Sequence, residues 1–84
     1  MIKRIMNIIE KLNDFKDYHV ELIYITHNKH RYFVCLEVEY NDIKFEVGSV
    51  IHEKDDQDDI YYNLDDDILN RYWDYLIAIE KGEM

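Results

Sequence analysis

Ile2, Ile5, Met6, Ile9, Leu12 and Phe15 recur at spacings of three and four, which places them on one face of a helix. Lys3, Asn7, Lys11 and Asp14 fall largely on the other face, and the pattern predicts a helix ending near Phe15 to Asp17. From Tyr18 to Thr26 the period changes to two. Val20, Leu22 and Tyr24 point one way, and His19, Glu21, Ile23 and Ile25 point the other. His30 to Tyr40 alternates as well, with Tyr32, Val34, Leu36, Val38 and Tyr40 opposite Arg31, Phe33, Cys35, Glu37 and Glu39.

Asn41-Asp42 is a two-residue hairpin signal. It predicts Tyr40 beside Ile43, Val38 beside Phe45 and Leu36 beside Val47, all on one apolar face. The first hairpin allows two registers. A loop at Asn28-Lys29 sets Ile23 and Ile25 beside Val34 and Tyr32. A loop over His27 to Lys29 sets Leu22 beside Val34, and it is preferred because it keeps the most apolar faces together.

His52 to Asn63 reads as an exposed acidic connection, with at most one helical turn. Asn63 is a suitable N-cap, and Asp65, Asp66 and Asp67 would then meet the helix dipole in the first turn. Leu64, Ile68, Tyr72, Tyr75, Leu76 and Ile79 form the stripe of a final helix that Gly82 can end as its C′ residue. The expected fold is α+β: a single αβββα domain over residues 1–84, a three-stranded antiparallel meander with both helices on one face. Trp73 and Ile77 lie off the main stripe, as core extension or as an apolar ledge.

Charge changes this picture most. Residues 1–44 hold seven basic and seven acidic side chains, whereas residues 45–84 hold three basic and twelve acidic. The whole net charge of −9 therefore lies in the second half. Direct nucleic-acid binding through that half is excluded, because displacing cations from phosphates needs the opposite sign. Apolar residues make up 48% of the chain, enough for one core, so the acids are a surface feature and not a disordered tail. The single cysteine, Cys35, forbids an internal disulfide, and no apolar run is long enough for a membrane span or a signal-peptide core. A cytoplasmic location in a host bacterial cell is the expectation.

The candidate binding residues are Asp55, Asp56, Asp58, Asp59, Asp65, Asp66 and Asp67, with Tyr61 and Tyr62 between the two clusters. In an extended chain, consecutive aspartates are spaced at most about 3.3–3.6 Å apart, close to the roughly 3.4 Å per charge of one DNA strand. Tyrosines among them supply rigid, amphipathic contact area. The same acids suit calcium poorly: a loop begun at Asp55 puts Ile60 where glycine is required and lacks the terminal glutamate. His27 and His30 span a hairpin without a third or fourth ligand near them. No nucleophile with a base, no phosphate-cradling glycine loop and no oxyanion hole is legible, so neither catalysis nor a cofactor or metal is expected. Ile23, Ile25, Phe33 and Cys35 form an apolar centre on the other sheet face, rimmed by Glu21, Arg31, Glu37 and Glu39. Left uncovered, it would bind a partner or form a homodimer through Ile23, Ile25 and Phe33.

The helix–sheet–helix order resembles double-stranded-RNA-binding domains, but those carry basic residues where this chain has Asp65 to Asp67. The chain also resembles the small acidic anti-CRISPR proteins of firmicute phages that inhibit Cas9. The likeness rests on size, net charge, the amphipathic first helix and the Lys16-Asp17-Tyr18-x-Val20-x-Leu22 strand start. It covers about the first fifty residues in pattern and the remainder only in composition. The resemblance implies a phage- or mobile-element-encoded inhibitor, a DNA mimic occupying the basic nucleic-acid site of a defence protein. An immunity protein or antitoxin that plugs a cationic toxin uses the same electrostatics and stands beside it.

Overall fold

The computed structural model describes residues 2–82 and has the order α1 (Ile2–Phe15), β1 (His19–Asn28), β2 (Arg31–Tyr40), β3 (Ile43–His52) and α2 (Gln57–Glu80). The three strands form one antiparallel sheet in the order β1-β2-β3. Both helices lie on one face of it, as expected. The core between them holds Ile5, Ile8, Ile9 and Leu12 from α1 and Ile60, Leu64, Ile68 and Tyr72 from α2. Val20, Val34, Leu36, Val38, Phe45, Val47 and Ile51 complete it from the sheet. Within α1 the buried arc runs through Ile8, whereas Ile2, Met6 and Phe15 stay exposed. That arc is about 100° wide and centred between Ile5 and Leu12, and the other three lie at its margins or at a helix end.

The β2–β3 hairpin has the register read from the sequence: Tyr40 faces Ile43, Val38 faces Phe45 and Leu36 faces Val47. Asn41 and Asp42 both take positive φ, 50° and 65°, as a tight two-residue turn with the sheet's twist requires.

The first hairpin matches neither expected register. Asn28 pairs with Arg31 across Lys29-His30, with Lys29 at φ 57°, and a bulge at Ile23 shifts the register between Leu22 and Tyr24. The extra residue lets Val20, Leu22 and Ile25 all face the helices, opposite Val38, Leu36 and Val34. A regular strand would have turned Ile25 outward; here Tyr24 takes that place. Asn13 ties α1 to this edge strand, its amide oxygen accepting from the Val20 N–H at 2.7 Å and its amide nitrogen donating to the Val20 carbonyl at 3.1 Å.

The last helix starts seven residues earlier than expected. Its N-cap is Asp56, whose side chain accepts from the Asp59 N–H at 2.8 Å, and Asp58 and Asp59 occupy the first turn. Asn63 is therefore an interior helical residue. Ile60, four residues before Leu64, is fully buried and extends the apolar stripe backwards. Gly82, at φ 73°, ends the helix as its C′ residue.

Candidate protein-binding surface

The acidic residues divide into those used by the fold and those left to solvent. Asp55 closes the turn after β3, its carboxylate accepting from the His52 N–H at 3.0 Å and its carbonyl accepting from the Arg4 guanidinium. Asp56 caps α2. Asp65 is buried: it accepts from the Tyr18 hydroxyl at 2.8 Å and pairs with Lys16 at 3.3 Å. The Lys16 ammonium is held above its ordinary range, first by its hydrogen bond to Asp65. The Tyr18 hydroxyl is held well above its own, first by burial and then by the same carboxylate. Asp67 is half-buried and accepts from the Ser49 hydroxyl. Asp65 and Asp67 thus leave the candidate set. Their place in mid-helix turns them toward the sheet, where the expected first turn would have left them free.

Asp58, Asp59 and Asp66 remain exposed, and among the described residues none of them forms an ion pair. Tyr61 is half-buried against the core, so only Tyr62, 63% exposed, can serve as an outward anchor. The rings of the two tyrosines meet edge to face at 5.4 Å.

The early helix start brings further residues onto the same outward face. Asp59, Tyr62, Asp66, Asn70, Trp73 and Ile77 follow one another at spacings of three and four, and so share one side of α2. Asp74 lies beside them. Trp73 is 58% exposed and Ile77 is exposed with it, so the pair forms a ledge and does not join the core. The sequence sets Trp73 and Ile77 off the core stripe, as core extension or ledge; that Asp59 and Tyr62 continue the same side of the helix shows only once α2 begins at Gln57. From Asp59 to Ile77 this face is about 27 Å long at 1.5 Å per residue.

Its charge spacing differs from the extended-chain expectation. Successive aspartates of a helix point about 100° apart, so only Asp59, Asp66 and Asp74 line the face, roughly 10–12 Å from one to the next. That is sparser than a nucleic-acid strand. The arrangement is an aromatic strip bordered by carboxylates.

Three of the histidines each have an aromatic or acidic partner. His27 stacks on Tyr32 at 4.3 Å, His19 meets Glu21 at 3.0 Å, and His30 meets Glu53 at 2.9 Å. The last contact holds the Glu53 carboxyl below its ordinary range. Among the described residues no group of three or more His, Cys, Asp or Glu side chains is placed to hold a metal ion. No helix among them is long and apolar enough to cross a membrane. No family model, no curated protein and no solved structure matches the chain.

Proposed function

We propose that this protein is a binding module that docks the outward face of α2 against a basic, nucleic-acid-binding protein and so blocks that protein's nucleic-acid site. The observation that carries the reading is the position of Tyr62 and Trp73, both more than half exposed, between the unpaired carboxylates of Asp58, Asp59, Asp66 and Asp74. Large aromatic side chains left in water on a helix face are the anchors that interface centres favour. The carboxylates around them supply encounter with a cationic surface and a rim that specifies its sign. Compared with the mimicry expected from the sequence, aromatic contact gains weight and phosphate-like spacing loses it.

The resemblance to anti-CRISPR proteins makes Cas9 the first target to test. Wild-type protein is expected to stop guide-loaded Cas9 from binding its target DNA. Trp73→Ala and the combined Asp59→Lys, Asp66→Lys, Asp74→Lys variant are expected to lose that effect while keeping their helical content. A wild-type protein that neither binds nor inhibits Cas9 removes Cas9 as the target. Inhibition that survives both variants removes the α2 face as the site.

A further inference from the structure

The face of the sheet turned away from the helices is uncovered, and its side chains lie in rows across the three strands. Asn28, Arg31 and His52 form the first row; Thr26, Phe33 and Val50 the next; Tyr24, Cys35 and Gly48 the third. Glu21, Glu37 and Glu46 form the fourth, and His19, Glu39 and Lys44 the fifth. The face is therefore cationic or hydrogen-bond-donating at one end, apolar in the middle and acidic toward the other end. Phe33, Tyr24 and Val50 are 39%, 48% and 50% exposed. The Phe33 ring lies across Gly48, where an added Cβ would come within 2.8 Å of it, so the middle of the face is flat. The glutamate row is unfavourable in an isolated chain. Like charges stand directly opposite one another on adjacent strands, and among the described residues only His19, on Glu21, relieves that row.

We infer that this face binds a second copy of the same chain, sheet against sheet, about a two-fold axis that crosses the strands between the Phe33 and Cys35 rows. Arg31 and Glu37 lie three residues to either side of that axis, each about 10 Å from it. A two-fold rotation about it lays the two β2 strands over one another antiparallel and sets Arg31 of each copy over Glu37 of the other. The same rotation sets His52 over Glu46 and Asn28 over Glu21. Phe33, Tyr24 and Val50 of the two copies then meet over the Cys35 and Gly48 row, which the Phe33 ring covers within each chain. The surface is self-complementary, as an isologous interface must be. A two-fold axis along the strands would instead stack glutamates on glutamates, and is excluded by charge. Sheets that pack face to face keep their strands within about 30° of each other, which this pairing satisfies.

With the axis there, residues 31–37 of β2 and their neighbours on β1 and β3 overlap, about 23 Å by 14 Å, or roughly 330 Å² of plan area per copy and about 700 Å² in total, the range of weak, transient contacts. An interface of that size makes at most a weak dimer. Its two α2 faces point outward on opposite sides, so the inference stands independently of the function proposed above.

Sedimentation of the full chain over a concentration series tests it. Wild type is expected to pass from monomer to dimer. Glu37→Arg and Arg31→Glu should each weaken self-association about tenfold or more, because each sets like charges over one another. An equimolar mixture of the two variants should recover dimer to wild-type strength, since one chain then offers two cations and the other two anions. A wild-type protein that stays monomeric at millimolar concentration overturns the inference. So does a dimer that both variants leave unchanged, or a mixture of folded variants that fails to pair.

Discussion

Asp65 is the residue on which the two readings of the acidic run part. Read as a surface charge, its removal would cost binding and no stability. Buried between Tyr18 and Lys16, it is instead a fastener between α2 and the start of β1. Asp65→Ala leaves the Tyr18 hydroxyl buried without a partner, and should lower unfolding free energy by about 2–3 kcal/mol in urea denaturation. Tyr18→Phe removes one hydrogen bond and should cost about 1 kcal/mol. The same trio sets an alkaline limit. Lys16 and Tyr18 both hold their protons more tightly in the folded chain than in the unfolded one. Their contribution is therefore fully present below the unfolded values near 10 and is lost as pH rises toward the raised folded values. Urea midpoints should be level through pH 7–9 and fall above about pH 10, with a shallower fall in Tyr18→Phe. A wild-type midpoint that does not drop there would contradict the buried geometry. Asp56 makes a parallel case: Asp56→Ala should cost about 1 kcal/mol as a lost cap, and Asp56→Ser should restore most of it.

At the scale of elements, the start of α2 is the feature whose misreading is most easily tested. Asn63 as an N-cap would make Asn63→Ala destabilising by about 1 kcal/mol. As an exposed interior residue of a helix from Gln57 to Glu80 it should do the reverse, stabilising by about 0.5 kcal/mol through helix propensity. The sequence held the answer in the spacing of Ile60, Leu64, Ile68 and Tyr72, each four apart. Two acidic runs, each fit for a first turn, concealed it, and Asn63 favoured the wrong one. The second hairpin was legible because Asn41-Asp42 dictates its turn and strict alternation leaves one register. The first was not, because Leu22-Ile23-Tyr24-Ile25 contains no polar residue to mark phase, and a bulge leaves no other trace in such a run. Deleting Ile23 tests the bulge: without the extra residue Leu22 and Ile25 stand two apart in a regular strand, and both still face the helices. The deletion should therefore shift the thermal midpoint little, whereas in an unbulged strand it would turn every later side chain of β1 over and cost about 1.5–3 kcal/mol. Of the site, Asp58, Asp59, Tyr62 and Asp66 were legible from composition alone. Trp73 and Ile77 were legible as lying off the core stripe, and burial decided between core and ledge; burial also removed Asp65 and Asp67 from the set.

For the whole molecule, acidity is not confined to one side. Asp58, Asp59, Asp66 and Asp74 lie on α2, while Glu21, Glu37, Glu39 and Glu46 lie on the sheet face behind it. The molecule measures 40 × 27 × 19 Å, so its thin dimension is about two Debye lengths at 0.1 M salt. Charges on the far face are therefore screened at the contact but still felt at low salt during approach. This separates steering from docking. With net charge −9, association with a cationic partner should slow about tenfold as salt rises from roughly 50 to 300 mM, with dissociation changing much less. Glu21→Lys with Glu39→Lys, measured at submicromolar protein where self-association is absent, should slow association modestly at low salt and leave dissociation unaltered. Asp59→Lys with Asp66→Lys should slow association and also speed dissociation, because those charges sit beside Tyr62 and Trp73 within the contact. Stopped-flow or surface-capture kinetics distinguish the two pairs. Should the sheet-face pair raise the dissociation rate as much as the α2 pair, the partner would be seated on the sheet, and the aromatic strip would have to be read as a bystander.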